Sequence, residues 1–264
     1  MGRLSKRQKK KIHYYLRSKT DLKQKQDMLH RDGTPKFLER HLPYVRKLAR
    51  NIDQLVIAAS FISPPLKTGL IDRFLILAEI EDIRPIVVLN KTDLLQDKTR
   101  ANEIFNMYER LGYHTILTSA KSGQGLNELD RELRGARSAL TGHSGVGKSS
   151  LLNAVAPDLQ LRVNEVSETT RKGKHTTSRV KIYKLDESTE VIDLPGIKIV
   201  DFIDVHRSEA RNYFPEFEEY ASDCKFADCL HISEPQCAVK KAVEERLIHP
   251  LRYRSYLNFV ESLS

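Results

Sequence analysis

The chain has 264 residues, of which 40% are hydrophobic and 30% are charged, and its net charge is +9. These are the values of a globular protein that is long enough to bury a sizeable core. No apolar run reaches the roughly 18 residues that a membrane helix needs, and no apolar segment follows the basic start of the chain. We therefore expect no membrane span and no secretory signal, and we expect a cytoplasmic protein.

The basic charge is concentrated at the N-terminus. Residues 1–50 contain 16 Lys and Arg but only 4 Asp and Glu, whereas the remaining residues contain 28 and 31. Such a concentration favours contact with RNA, because Lys and Arg displace counterions when they meet phosphates. The alternative is a solvated helix rich in lysine. We interpret residues 1–48 as a basic N-terminal arm.

From about residue 49, short apolar segments alternate with amphipathic ones. Strands are predicted at DQLVIAASF, RPIVVLN and HTILTSA, and helices at TGLIDRFLILAEIED, ANEIFNMYERLG and GLNELDREL. Farther along, SSLLNAVA predicts a helix, and SRVKIYKLD and TEVIDLPG predict two strands that can form a hairpin. This alternation implies an α/β domain with a mostly parallel sheet and helices on both faces, which we place at residues 49–205.

A phosphate-binding loop is predicted in TGHSGVGKSS, which fits the pattern G-x-x-x-x-G-K-[ST]. The glycines let the backbone wrap closely around a phosphate, and the helix that follows adds the positive end of its dipole. Lys148 is predicted to reach the β- and γ-phosphates, and Ser149 to bind Mg²⁺. The predicted phosphate-binding residues are Gly142, His143, Ser144, Gly145, Val146, Gly147, Lys148, Ser149 and Ser150.

Two loops that follow predicted strands indicate which base is bound. The motif N-K-x-D ends at Asp93, whose carboxylate can accept from both N1–H and the 2-amino group of guanine, a donor pair that adenine lacks. Asn90 is predicted to bond the base edge and tie the loops together, and the stem of Lys91 to lie over the ring. In the motif S-A-K, the N–H of Ala120 is predicted to meet guanine O6. The predicted base-binding residues are Asn90, Lys91, Thr92, Asp93, Ser119, Ala120 and Lys121.

The motif D-L-P-G completes the set: Asp193 is predicted to hold Mg²⁺ through water, and the Gly196 N–H to sense the γ-phosphate. GTPases of the common order run from the phosphate loop through D-x-x-G and N-K-x-D to S-A-K. Here the order is a cyclic shift that begins with N-K-x-D. Because the contacts of a sheet do not depend on where the chain is cut, we expect a circularly permuted GTPase domain. The segment LDRELRGARSA is predicted to join its two halves.

The three cysteines and one histidine lie within 14 residues, as Cys224-x₄-Cys229-x-His231-x₅-Cys237. Three thiolates and an imidazole at this spacing predict a closed, tetrahedral Zn²⁺ site of the structural type. The alternative is a set of buried thiols with a surface histidine. A disulfide framework is not expected in so long a chain without a secretory signal. We therefore expect a small helical zinc domain over residues 206–264.

Together, the permuted motif order, GHSGVGKSSLLN, DLPG and CKFADCLHISEPQCAV resemble the small ribosomal subunit biogenesis GTPases of the RsgA type. The similarity covers about residues 50–260. It implies hydrolysis of GTP to GDP and phosphate, stimulated by the small ribosomal subunit late in its assembly, with Mg²⁺ and one structural Zn²⁺. The subunit and its ribosomal RNA are the implied partners, and we expect a monomer. The family's N-terminal OB-fold barrel is expected to be absent or vestigial.

The resemblance also suggests residues for hydrolysis. The segment RKGKHTTS matches a histidine–threonine signature in which Thr176 or Thr177 closes on Mg²⁺ and His175 helps to position the attacking water. His175 can alternatively be a solvated loop residue. With Lys148, these three residues are the predicted catalytic set. Ile197 occupies the position after D-L-P-G where many GTPases place a water-orienting glutamine, so slow intrinsic turnover and a strong partner effect are expected.

Two other functions remain open from the sequence. A GTP-gated RNA-binding switch with negligible hydrolysis is compatible with the missing glutamine and the missing barrel. A zinc protein that binds nucleic acid through a decayed nucleotide site is disfavoured, because every guanine and phosphate motif is intact.

Overall fold

The computed structural model describes residues 52–159, 181–194 and 205–263. Six strands in these ranges form one sheet in the order β3-β2-β1-β4-β6-β5. The strands are β1 (Gln54–Ser60), β2 (Arg84–Asn90), β3 (His114–Leu117), β4 (Arg137–Gly142), β5 (Lys181–Lys184) and β6 (Glu190–Asp193). In the sheet, β3, β2, β1, β4 and β6 each run parallel to their neighbours in this group. The edge strand β5 runs antiparallel to β6.

The described ranges also contain seven α-helices. They are α1 (Thr68–Ile80), α2 (Thr99–Arg110), α3 (Leu126–Leu133), α4 (Lys148–Val155), α5 (Glu218–Ala221), α6 (Ala238–Glu244) and α7 (Pro250–Glu261). Short 3₁₀ segments lie at Thr92–Leu94, Pro157–Leu159, Arg207–Tyr213 and Pro215–Phe217. None of the helices described is long and apolar enough to cross a membrane.

Helices cover both faces of the sheet, as the long apolar runs of its strands predict. On one face, Val56 and Leu140 belong to a buried cluster that also contains Leu129 of α3 and Leu151 of α4. Side chains alternate along a strand, so Ile57 points to the opposite face, where α1 packs on β1 and β2. The expected α/β class with a mostly parallel sheet is confirmed.

The sheet brings the described residues of the predicted nucleotide motifs to one edge. After β1, the chain forms β2 and then β3 on one side of β1. It then returns to form β4 on the other side of β1. Ligands of parallel sheets bind outside the carboxyl ends of the strands, at the point where the strand order reverses. Here that point lies between β1 and β4, and the phosphate loop follows β4 directly.

The C-terminal region is helical and packs on α1. Phe214, Phe217, Tyr256 and Phe259 belong to a second buried cluster, which Ile76 of α1 joins. Their rings meet at short range, for example 4.8 Å between the ring centroids of Phe217 and Tyr256. This region therefore has an aromatic core that extends onto a helix of the sheet domain.

Two predictions about connections can be compared with the structure. The hairpin is confirmed, because Lys181 pairs with Asp193 and Lys184 with Glu190 in antiparallel register. The join between the two halves is shorter than predicted, since α3 ends at Leu133 and β4 begins at Arg137. The rest of LDRELRGARSA belongs to those two elements. The predicted arm, and the prediction about the barrel, lie outside the described residues.

Candidate functional site

The phosphate loop connects the end of β4 to the start of α4, as the motif predicts. The Nζ of Lys148 donates to the carbonyl of Gly142 across the loop, at 3.0 Å. Burial lowers the pKa of Lys148, and the nearby carboxylate of Asp193 opposes that shift. The lysine is thus a half-buried cation beside the loop, where it can balance the charge of a phosphate.

Glycine is required at two positions of this loop. A Cβ on Gly142, where φ is +141°, would lie 2.0 Å from the carbonyl oxygen of Ala58 on β1. A Cβ on Gly147, where φ is +97°, would lie 2.5 Å from Nδ2 of Asn90. Both distances are too short for any side chain, so the glycines let the phosphate loop pack directly against the early half of the chain.

The predicted base-binding loops are tied to each other. Ser119 Oγ donates to Asp93 Oδ1 at 2.6 Å and so fixes the direction of the carboxylate. Thr92 Oγ1 lies 3.0 Å from the carbonyl of Thr118 and 3.0 Å from Oε1 of Gln124. Asp93 itself is exposed at the sheet edge. An oriented, accessible carboxylate is what recognition of two adjacent N–H donors requires.

Asn90 and Lys91 also connect the base-binding loops to the phosphate loop. Asn90, which is buried, donates from Nδ2 to the carbonyl of Val146 at 2.9 Å. Its Oδ1 accepts from the N–H of Ala120 at 3.2 Å, so the N–H predicted to meet guanine O6 bonds Asn90 in this structure. Lys91 Nζ donates to the carbonyl of Gly145 at 2.6 Å. The two contacts with the phosphate loop join residues that are 54 or more positions apart in the chain.

The predicted Mg²⁺ ligands lie beside the same loop. Asp193 ends β6 and pairs with Leu140 of β4, and Ser149 lies in the first turn of α4. Oδ1 of Asp193 is buried and has no hydrogen-bond partner among the described residues. Burial raises the pKa of Asp193, whereas Lys148 and Lys181 lower it. A buried carboxylate oxygen with no protein partner fits a cation or its water, so these residues are compatible with Mg²⁺.

The positions of the remaining predicted residues say less about how a nucleotide would bind. His143 Nδ1 lies 2.8 Å from the carbonyl of Ser144, Ser150 is half-buried and Lys121 is exposed. The structure does not describe the predicted switch and catalytic residues outside the loop, which are His175, Thr176, Thr177 and Gly196.

The four predicted metal ligands form one cluster. The donor atoms of Cys224, Cys229, His231 and Cys237 all lie within 4.8 Å of one another. His231 Nδ1 lies 3.5 Å and 3.4 Å from the sulfurs of Cys224 and Cys237, which are 3.8 Å apart. Zinc bonds of about 2.3 Å to sulfur and 2.0 Å to nitrogen, arranged tetrahedrally, give edges of roughly 3.5 to 3.8 Å. The cluster therefore has the size of a Cys₃His metal site.

Burial opposes metal binding at the Cys229 thiol but favours it at the His231 imidazole, because a ligating cysteine must be deprotonated and a ligating histidine neutral. It raises the pKa of Cys229 to about 12, and it lowers the pKa of His231. Without a cation the Cys229 thiol is held protonated and the His231 imidazole neutral. A bound cation would make the thiolates the stable form, because metal ligation requires deprotonated sulfur.

Some contacts at the sites were not predicted from the sequence. Gln124 joins the base-binding loops, Ser63 accepts from Lys91 Nζ, and Arg252 is buried in an ion cluster with Asp72 and Glu216. Gln124 follows S-A-K closely and could have been suspected from that position. The other contacts link residues far apart in the chain, and no local pattern marks them.

The sheet order, the loop after β4 and the base-binding loops after β2 and β3 together define a circularly permuted GTPase. The model of the RsgA GTPase family matches residues 22–203. The chain belongs to this family, and it is therefore a GTP hydrolase.

Similar proteins agree with this assignment. "Small ribosomal subunit biogenesis GTPase RsgA" of Geobacillus sp. (strain WCH70) is 43% identical over 227 residues, which are 85% of this chain and 77% of that protein. The protein of the same name from Christiangramia forsetii is 40% identical over 216 residues, 81% of this chain and 69% of its own length.

Two solved structures are also similar. YjeQ from Thermotoga maritima is 37% identical, with a TM-score of 0.65 over 80% of this chain and 71% of that chain. YloQ, described as a circularly permuted GTPase, is 36% identical, with a TM-score of 0.61 over 80% of this chain and 68% of that chain.

Proposed function

We propose that the protein hydrolyses GTP as a step in the assembly of the small ribosomal subunit. The observation that supports the nucleotide part is the pair of contacts from Asn90 and Lys91 to the phosphate loop, because they link residues predicted to bind the base with residues predicted to bind the phosphates. The ribosomal part is supported by the relatives, which are named small ribosomal subunit biogenesis GTPases.

In the proposed complex, Asp93 accepts from the guanine edge and the stem of Lys91 lies over the ring. The loop from Gly142 to Ser149 wraps the phosphates, and Lys148 balances their charge. Ser149, Asp193 and either Thr176 or Thr177 would hold Mg²⁺. When bound, the cation neutralises charge that develops on the phosphate oxygens during transfer.

Hydrolysis needs a water molecule that is oriented toward the γ-phosphate. We assign this role to His175, by its resemblance to the histidine of the family signature. Ile197 stands where a glutamine would otherwise orient the water, and a hydrocarbon side chain cannot do so. Turnover is therefore expected to be slow until the partner completes or orders the site. Gly196 is assigned to sense the γ-phosphate.

The Cys₃His cluster is proposed to hold one structural Zn²⁺. Three thiols and one imidazole are ligands that zinc prefers, and with all four positions supplied by protein no position is open for substrate. Glu234 accepts from the N–H groups of Leu230 and Ile232, each at 2.8 Å, which braces the ligand loop around His231. The proposed role is to fold the C-terminal region.

The proposed organisation is a basic arm over residues 1–48, a GTPase domain over 49–205 and a zinc domain over 206–264. The excess of 12 positive charges in residues 1–50 supports contact of the arm with ribosomal RNA. We propose a monomer that acts in the cytoplasm, where ribosomal subunits are assembled.

The test is GTP turnover with and without purified small ribosomal subunits. We expect the subunits to raise the rate about 10-fold or more, because the chain lacks the water-orienting glutamine and a partner can supply the missing order. Large subunits serve as the matched control and should leave the rate near its basal value. The Lys148→Ala variant should show little turnover in either case.

A rate that small subunits do not change would contradict the proposal. Bound GTP that persists on the subunit would then indicate a GTP-gated RNA-binding switch. GTP binding of wild-type strength in Lys148→Ala would instead show that the phosphate loop is not the nucleotide site.

A further inference from the structure

Helix α7 holds the backbone of the metal-ligand loop. Tyr253 Oη donates to the carbonyl of His231 at 2.7 Å, and Tyr256 Oη donates to the carbonyl of Leu230. Leu230 and His231 lie inside the Cys₃His loop, so the position of α7 and the conformation of this loop depend on each other.

The same helix is fixed to the GTPase domain by a buried cation. Arg252 donates from Nη1 to Asp72 Oδ1 of α1 at 2.6 Å, and from Nε and Nη2 to the two oxygens of Glu216 at 2.6 and 3.2 Å. Asp72 also accepts from Tyr108 Oη of α2 at 3.0 Å. One guanidinium, lying 4.6 Å from the Phe214 ring centroid, therefore joins α1, α7 and the segment around Glu216.

We expect that this cluster specifies the orientation of α7 more than it adds stability. Arg252 and Asp72 are each about 1% exposed, so both groups have lost their hydration. Replacing such a buried ion cluster with uncharged groups of similar volume often leaves the free energy of unfolding unchanged. Removing only one member lowers that free energy strongly, because it leaves a buried charge without a partner. The planar fork of Arg252 can satisfy both carboxylates at once, which a point charge cannot.

Helix α1 reaches the nucleotide site at its N-terminal end, one turn from Asp72. It follows the loop of residues 61–67, in which the carbonyl of Pro64 accepts from Ser60 Oγ at 2.9 Å and the carbonyl of Ser63 accepts from Lys91 Nζ. Lys91 at the same time bonds the carbonyl of Gly145 in the phosphate loop. Residues of α1 and of the phosphate loop also line one shared pocket.

We propose that Arg252 is a positioning residue that couples the Cys₃His site to the guanine-nucleotide site. The path runs from the ligand loop through α7, Arg252, Asp72 and α1 to Lys91. With a metal bound and the ion cluster intact, α1 holds Lys91 and the phosphate loop in the arrangement that binds nucleotide. Coupling between two sites is reciprocal, so nucleotide must strengthen metal retention by the same factor. The inference rests on the proposed function, because it assumes that both sites are occupied.

The test compares the affinity of the whole protein for a fluorescent GDP analogue with zinc bound and after treatment with a chelator. The dissociation constant is expected to be about 5-fold or more lower in the zinc-bound protein. In the triple variant Asp72→Asn, Glu216→Gln and Arg252→Met, the charges are gone but the volumes are kept. This variant should still bind zinc and the GDP analogue. Its dissociation constant for the analogue should be nearly the same with zinc bound and after chelation, so the ratio of the two constants should be near one. Arg254→Met, an exposed position on the same helix, should keep the wild-type ratio.

The single variant Arg252→Lys provides a second test in case the triple variant does not fold. It keeps one positive charge but cannot reach both carboxylates, so the ratio should fall between the two extremes. A wild-type ratio near one, or an unchanged ratio in either Arg252 variant, would overturn the inference. If the wild-type protein bound no GDP analogue or no zinc, the proposed function would fail instead, so the two failures are distinguishable.

Discussion

Replacing Asp93 with Asn is expected to lower the affinity for GTP about 100-fold or more. Asn offers one oxygen acceptor and one N–H₂ donor, so the donor faces the N–H groups of guanine and two charge-assisted hydrogen bonds are lost. Losing such bonds and leaving donors unpaired costs about 3 kcal/mol, which corresponds to that factor. Ser119 Oγ, now 2.6 Å from Asp93 Oδ1, can donate to an amide oxygen equally well, so the side chain should keep its direction.

The control uses the nucleotide instead of a second mutation. Xanthine carries a carbonyl where guanine carries its 2-amino group, so the Asn donor can pair with XTP. Affinity for XTP should therefore rise in the variant while its melting temperature stays near that of the wild type. Equilibrium binding of GTP, XTP and ATP to both proteins measures this. Equal loss for all three nucleotides would show that Asp93 supports the loop and does not select the base.

Removing the metal ligand Cys237, as Cys237→Ser, is expected to abolish metal retention and unfold much of the C-terminal region. Cys229 and Cys237 are buried within the aromatic cluster of this region, so the ligands and the core share the same residues. Apparent binding energies of structural Zn²⁺ reach about 10 kcal/mol or more, which exceeds the whole stability of many small domains. Chelation of the wild-type protein should have the same effect.

Metal content by atomic emission spectroscopy and near-ultraviolet circular dichroism together measure this loss. The chain has no Trp, so its near-ultraviolet signal comes mainly from Tyr, and Tyr253 and Tyr256 both bond the ligand loop. Asp228→Asn is the matched control, since Asp228 lies exposed inside the same loop. It should retain metal and spectrum. A wild-type spectrum in Cys237→Ser, with or without chelator, would contradict a structural role for the metal.

The sheet could be predicted because its strands carry their own signal. Buried parallel strands are continuous apolar runs, and RPIVVLN corresponds residue for residue to β2. The base-binding motifs were predicted to follow β2 and β3, and the parallel sheet places both at the edge where the phosphate loop begins. Each motif follows a particular strand of the sheet, and this does not depend on where the chain begins. The order of the motifs along the chain therefore predicted the permutation.

The contacts that hold the site together could not be predicted in this way. Arg252 bonds Asp72 across 180 positions of sequence, and Lys91 bonds Ser63 and Gly145 in two different loops. Such contacts depend on how helices pack on the sheet, which no local periodicity records. From the sequence alone, Arg252 is expected to lie on the solvent face of an amphipathic helix, because arginine is mostly exposed in proteins. Only the packing of the helices shows that its side chain is buried.

The central claim is that one guanine nucleotide is bound by both halves of the chain, the base by residues 90–93 and 119–121 and the phosphates by residues 142–149. A crystal structure of the protein with Mg²⁺ and GDP tests it most directly. The account predicts guanine N1 and its 2-amino nitrogen within about 3 Å of the Asp93 carboxylate, with the β-phosphate inside the loop that begins at Gly142. Phosphates in that loop with the base directed away from Asp93 would contradict it.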